Sequence, residues 1–465
     1  MTAAPIPFSQ HARALLTLGL PLIGTHLATA AVGLTDTIML GWYDVQVLAG
    51  GVLGASFFFT LFVVGSGFSY AVLPLVASAV SAGDPTQIRR VTRMGLWLSA
   101  LAALTLLPLM WWSAPILRLI GQDEEVSALA QTYLRIAGWS LLPALLVSTL
   151  KSYLAALERA QVVLWVAIFG GLGNALCNWL LIFGRWGFPE LGITGAAIAT
   201  LTNQLIMLGL IVIFVRARLS EHLMFQRLWR PDWEAFARVY RLGWPIGLTH
   251  LAESGLFMAT TLMMGWIGTL HLAANGIALQ LTSTTFMVHL GLSQAATVRA
   301  GQAYGARDIS FLLRTGQVAL ALSLTMVGLT MALFLGVPEF LIGLFLDPGD
   351  PNRVAIFSIG VGLLAVSAVF QLADGTQVMA MGLLRGVQDT RAPMIMALVS
   401  YWVVGVPASY ALGFWTPLGG VGIWLGLVLG LSCASALMLH RFWLLRRWQP
   451  AMIEPPLSKV AEPSR

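Results

Sequence analysis

A stretch of about seventy residues near the start of this chain recurs, without a gap, 224 positions later. Leu18–Trp42 reads LGLPLIGTHLATAAVGLTDTIMLGW and Leu242–Trp266 reads LGWPIGLTHLAESGLFMATTLMMGW. Gly19 answers Gly243, Pro21 Pro245, Thr25 Thr249, His26 His250 and Trp42 Trp266, and the register still holds at Asp84 and Asp308 and at Arg90 and Arg314. An ungapped match of this length is an internal duplication, which restricts the chain to folds built from two like halves. A fainter echo, GITGAAIAT at Gly192–Thr200 against GGVGIWLGL at Gly419–Leu427, carries the repeat toward the end of each half.

What surrounds those halves follows from charge. Only 10% of the 465 residues are Asp, Glu, Lys or Arg and 58% are hydrophobic, whereas a soluble chain carries about a quarter charged residues. Lipid is therefore the solvent for most of the chain. A helix needs about twenty apolar residues to cross ~30 Å of hydrocarbon. Twelve stretches qualify, at roughly 16–41, 48–80, 92–114, 126–150, 162–184, 191–216, 240–267, 273–303, 314–336, 354–384, 394–414 and 420–443. The predicted fold is an all-α polytopic membrane protein with twelve transmembrane helices.

One set of loops and termini carries 22 of the basic residues and the opposite set only Arg118, Arg185 and Arg353, with Arg135 left deep inside helix 4. The positive-inside rule then places both termini in the cytoplasm. Six crossings on each side of the basic segment Arg216–Arg241 give the halves the same orientation, so two six-helix lobes are expected to be related by a pseudo-two-fold along the membrane normal. The expected layout is a cytoplasmic segment at 1–14, an N-lobe at 15–216, a basic linker at 217–239, a C-lobe at 240–445 and a cytoplasmic tail at 446–465. The tail is Pro-rich from Trp448 and expected to be disordered. Residues 1–13 hold Pro5 and Pro7 and no apolar core ahead of a cleavage site, so the first span is expected to be an uncleaved signal-anchor.

Several function classes fall away. The net charge of +6 sits where membrane topology needs it, which removes the case for nucleic acid. Lys151 and Lys459 are the only lysines, so no GxxxxGK[ST] phosphate loop exists and an ATP-driven pump in one chain is excluded. Neither HExxH nor GxSxG is present, and Cys177 and Cys433 are too few for a disulfide framework. No enzyme activity and no cofactor are expected.

Three of the twenty acids lie well inside predicted spans: Asp36, Glu253 and Asp374. Each costs about 2.5–3.5 kcal/mol at mid-helix on insertion scales, so a functional return is expected. On helix 1, Thr25, Thr29 and Asp36 share one face; on helix 7, Thr249, Glu253 and Thr260 share the matching face. The acid has moved by seven residues between the copies, roughly 10 Å of depth. Asp374 on helix 10 has Gln371 one turn before it, and the matching region of helix 4, near Val147, has no acid. Asn174 and Asn178 share a face of helix 5. With Asp36 and a threonine hydroxyl they could form an oxygen cage for a hard monovalent cation, or simply bond between helices; the spacing leaves both open. His26 and His250, near the helix starts, are read as packing or interfacial residues.

In these features the chain resembles the multidrug and toxic compound extrusion (MATE) family, in its NorM-like branch. The resemblance covers nearly all of residues 10–445. It rests on LTDTIMLG on helix 1, LGITGAAIAT on helix 6, HLAESGLF on helix 7, QLADGTQ on helix 10 and LRGVQDTRAP after it. It implies two lobes facing across a central cleft and cation-driven export of amphipathic, mainly cationic compounds by rocker-like alternating access. Asp36, Glu253 and Asp374 fall on the family's functional acids. Asn174 and Asn178, and more weakly Thr200, fall on positions lining a first-lobe cation site. Asn178 stands where a related branch has an acid, which leaves the coupling ion open between sodium and proton, with sodium able to sit at Asp36, Asn174 and Asn178 or at Glu253 and Asp374. The expected setting is a bacterial-type cytoplasmic (inner) membrane, with the chain a monomer whose partners are small molecules and lipid. The alternative is a flippase for lipids or lipid-linked precursors; such an anionic cargo calls for deep arginines, and the deep charges here are mostly negative.

Overall fold

The computed structural model describes residues 7–346 and 351–444; the start of the 1–14 segment and the tail at 446–465 lie outside them. Regular structure among the described residues is helical throughout. Twelve long helices carry it: α1 (Phe8–Tyr43), α2 (Val45–Ser81), α3 (Pro85–Trp111), α4 (Glu124–Ala156), α5 (Ala160–Ile182), α6 (Ile193–Arg218), α7 (Trp233–Ile267), α8 (Thr269–Ala306), α9 (Ile309–Gly336), α10 (Arg353–Gly386), α11 (Arg391–Phe414) and α12 (Gly420–Trp443). Short helices follow α3 (Ser113–Leu119) and α9 (Pro338–Gly343), at equivalent places in the two halves. The repeat read in the sequence is thus repeated in the element order.

Ten of the twelve are long and apolar enough to cross a membrane by composition; α7 and α8 are not among them. Both carry many polar side chains, including His250 and Glu253 on α7 and Asn275, Thr282 and His289 on α8. The helices also outrun their apolar stretches. At 1.5 Å per residue, the 37 residues of α2 and 38 of α8 exceed what hydrocarbon requires.

The chain packs into two compact units. The N-unit comprises Thr17–Val76 and Pro85–Phe257; the C-unit comprises Ala77–Asp84 and the described parts of Met1–Leu16 and Met258–Arg465. In the N-unit, α5 lies along α6 and α3 along α4, around a core that includes Leu40, Met110, Leu134, Leu141, Leu145 and Ile182. In the C-unit, α8 and α12 both lie along α10, and α11 lies along α12. Close approach comes from small residues: a Cβ on Gly195 would fall 2.5 Å from the Leu181 carbonyl oxygen, and one on Gly422 2.2 Å from that of Leu412. Gly192 and Gly419, just before α6 and α12, take φ +52° and +54° with ψ −123° and −126°. Only glycine enters that region freely, so the backbone keeps the duplication where side chains have drifted.

The basic linker is docked rather than loose. In the N-unit, Arg90 on α3 bonds Asp232 and Glu234, Arg93 donates to the Arg227 carbonyl and Trp97 Nε1 to that of Leu228 at 2.8 Å. The counterpart of Arg90 is Arg314, whose guanidinium lies 5.5 Å over the Phe8 ring in the C-unit. Phe8 stands 224 positions before Asp232, so each half anchors the residue that leads into a first helix. One anchor is ionic and the other cation–π.

Candidate functional site

In the N-unit, α1 and α5 bring Asp36, Asn174 and Asn178 together. Asn178 Nδ2 donates to Asp36 Oδ1 and also lies 3.2 Å from Asn174 Oδ1. Both asparagines are fully buried and Asp36 is half-buried. The carboxylate therefore meets an amide N–H, not an amide oxygen as an oxygen cage would require. Asn178 Oδ1 and Asn174 Nδ2 have no hydrogen-bond partner among the described residues, so rotating the Asn178 amide exchanges donor for acceptor beside Asp36.

Thr200 is carried by α6 of the same unit. Its hydroxyl bonds the Ala196 carbonyl at 3.0 Å and pairs with the Tyr133 hydroxyl at 3.2 Å. Thr29, expected on the polar face of α1, is exposed and donates to the Thr25 carbonyl. Thr25 and Thr249 are buried and each donates to the carbonyl of the proline one turn before it, Pro21 at 2.9 Å and Pro245 at 2.7 Å. The matched threonines thus keep one local role, satisfying their own helix.

Glu253 on α7 packs in the N-unit, its side chain 12% exposed, with Oε2 3.8 Å from His250 Nδ1. His250 in turn lies against Tyr70, ring centroids 5.7 Å apart. A histidine one turn from a nearly buried glutamate makes a pair whose charge depends on protonation. The i, i+3 spacing contained this proximity, beside the reading of His250 as a packing or interfacial residue, and the Tyr70 contact is a packing one.

In the C-unit, α10 places Gln371, Asp374 and Gln377 in succession, all essentially buried. Gln371 Nε2 donates to Thr285 on α8, and Gln377 Nε2 donates to the Tyr401 hydroxyl on α11 at 2.7 Å. Behind Asp374, Ser323 Oγ bonds the Gly375 carbonyl at 3.2 Å and pairs with His289 Nδ1 at 3.3 Å. Tyr401 and His289 had no sequence pattern to announce them, and Gln377 closes the QLADGTQ motif without having been singled out. Asp389 of LRGVQDTRAP ion-pairs with Arg441 at the end of α12, which gives that segment a structural duty.

Arg135 requires a correction. Read as deep within helix 4, it is exposed, and its guanidinium lies 5.9 Å over the Trp111 ring. Hydropathy gives depth along a helix but not which side of it faces out.

The model of the MatE family matches residues 21–180 and 245–411 of this chain, blocks that begin 224 positions apart. The chain is 44% identical over 440 residues to a probable multidrug resistance protein NorM of Rhizobium meliloti, covering 94% of each chain. It is 43% identical over 438 residues to another of that description from Agrobacterium fabrum, again covering 94% of each. Among solved structures, a eukaryotic MATE transporter superimposes with a TM-score of 0.86 at 19% identity, over 96% of this chain and 98% of that one. An outward-facing multidrug resistance MATE family transporter of the MOP superfamily gives 0.86 at 20% identity, over 96% and 97%. At such identities the structures establish a shared fold.

Proposed function

This chain belongs to the MatE family, and on that premise we propose that it is a secondary active multidrug exporter, exchanging an inward-moving cation, sodium or proton, for amphipathic, mainly cationic compounds by alternating access. The observation that carries the reading is a carboxylate held by neutral amides. Asp36 is bonded by Asn178, with Asn174 behind it, so the partner in contact orients the charge without cancelling it. A cation can supply what the amides do not.

Glu253 and Asp374 are assigned the same duty in the second half of the sequence. A carboxylate in low dielectric favours neutralisation, and a proton, a metal cation or a cationic drug are competing ways to achieve it. Exchange becomes obligatory when each ligand favours a different conformation. The protein acts as a monomer in a cytoplasmic (inner) membrane, with both termini and the segment at 217–239 on the cytoplasmic side, and needs no cofactor.

The test is efflux of a fluorescent cation from vesicles under an imposed sodium gradient and, separately, an imposed proton gradient. Glu253→Gln and Asp374→Asn are each expected to abolish gradient-driven efflux while leaving the melting temperature within a few degrees of the parent. Normal pumping by either variant rejects the exchange scheme.

A further inference from the structure

The halves do not match at one constant offset. Across α4 and α10 the separation is 230: Glu158 and Gln388 both take φ near +60°, and the turns they close have the same bonds. Glu158 and Arg159 donate to the carbonyls of Ala155 and Leu154, as Gln388 and Asp389 donate to those of Arg385 and Leu384. Toward the ends of α5 and α11 the separation is 231, fixed by the Leu181 and Leu412 carbonyls that sit against Gly195 and Gly422. So α11 holds one residue more than α5, and the surplus is absorbed as the π segment Val399–Gly405. Such single-turn insertions are frequent at functional sites.

Tyr401 lies in that segment, fully buried. Its matches at either offset, Gly170 and Gly171, have no side chain. At the offset of 230, Gln371, Asp374 and Gln377 replace Leu141, Ala144 and Val147. The polar stripe on α10 and the residue that holds it are therefore both absent from the first half. Gln371 and Gln377 stand three positions either side of Asp374 on one helix, where side chains are neighbours. The amide nitrogen of one is bonded to Thr285 and that of the other to Tyr401. Both amide oxygens are buried with no hydrogen-bond partner among the described residues.

We infer that the inserted residue in α11 gives the second half a sodium-binding stripe: Asp374 with the amide oxygens of Gln371 and Gln377, Thr285 and Tyr401 being positioning residues that hold the amide nitrogens away. One carboxylate and two neutral oxygens carry a single negative charge, which suits a hard monovalent cation. The inference rests on the reading of Asp374 as a coupling acid.

Two readouts test it on the purified full chain: the sodium dependence of the melting temperature at constant ionic strength, with choline as the replacement ion, and sodium-driven efflux from vesicles. Tyr401→Phe removes one oxygen and little volume. It is expected to raise the half-saturating sodium concentration at least threefold, with the half-saturating drug concentration unchanged within twofold. Gln377→Leu is expected to raise the sodium value further, about tenfold. If Asp374→Asn abolishes efflux while both variants keep the parent sodium value, the stripe is wrong and the exporter reading stands. If Asp374→Asn pumps normally, that reading falls as well. A parent protein with no sodium-dependent stabilisation, or sodium and drug values rising in parallel in Tyr401→Phe, also overturns the stripe.

Discussion

Asp36 and Asn178 show how a single contact can be probed. Hydrogen bonds to a charged group contribute about 1.5–3 kcal/mol net, and a buried acceptor stripped of its donor costs a similar amount. Asn178→Leu removes the donor that the structure places on Asp36 and is expected to destabilise by about 2 kcal/mol. Adding Asp36→Asn removes the charge that needed the donor, so the double variant is expected to recover much of the loss. Thermal unfolding of the four proteins of this cycle gives the coupling directly. Additive losses would mean that the two side chains do not act on each other. Asp36 stood out as a charge inside an apolar span, and Asn174 and Asn178 share a face because i, i+4 spacing is fixed by the helix itself. Spacing could not give the turn of the Asn178 amide, which is a rotation about one bond, nor the outward side of Arg135. The bond between Tyr401 and Gln377 was illegible for another reason: it joins two helices, and which faces of them meet is written in neither helix alone.

At the scale of elements, apolar length found the helices but not their ends. α7 begins at Trp233 rather than 240, because a helix that leaves hydrocarbon continues on ordinary backbone bonds and polar side chains. The π segment of α11 was invisible, since one surplus residue changes no apolar count. The strap ahead of α7 was read as a topology signal, and its docking on α3 adds a prediction about acid. The Arg90 guanidinium bonded to Asp232 holds that carboxyl below its usual range. A carboxyl depressed in the folded state contributes its stability above the unfolded value of about 3.9 and loses it as pH falls through the lower folded value. The contribution is thus constant above about pH 5 and disappears in stronger acid. Asp232→Asn is expected to lower the melting temperature at pH 7 and to flatten its decline below pH 4. Melting curves between pH 3 and 7 check this, and parallel acid declines in the two proteins reject the clasp.

For the whole molecule, the duplication has become chemically unequal. One copy keeps its acid on α1 beside the α5 asparagines, while the other has acids on α7 and α10. Should the acids of each copy take one cation, two would move per cycle, and charge counting makes that testable. One monovalent cation moving in for one monovalent drug moving out is electroneutral, and a membrane potential adds nothing. Two cations for one drug move one net charge inward, which 100 mV drives with about 2.3 kcal/mol. At 1.4 kcal/mol per tenfold, that supports roughly fortyfold greater accumulation. With a potassium diffusion potential imposed on vesicles, the parent is expected to export more drug as the potential grows, up to about this factor. Asp36→Asn retains the acids of α7 and α10 and gives up one cation. Its efflux is expected to remain driven by the ion gradient yet to change less than twofold over the same 100 mV. A variant that stays as voltage-sensitive as the parent would mean that Asp36 carries no coupled charge, and the α1 carboxylate would have to be explained by packing alone.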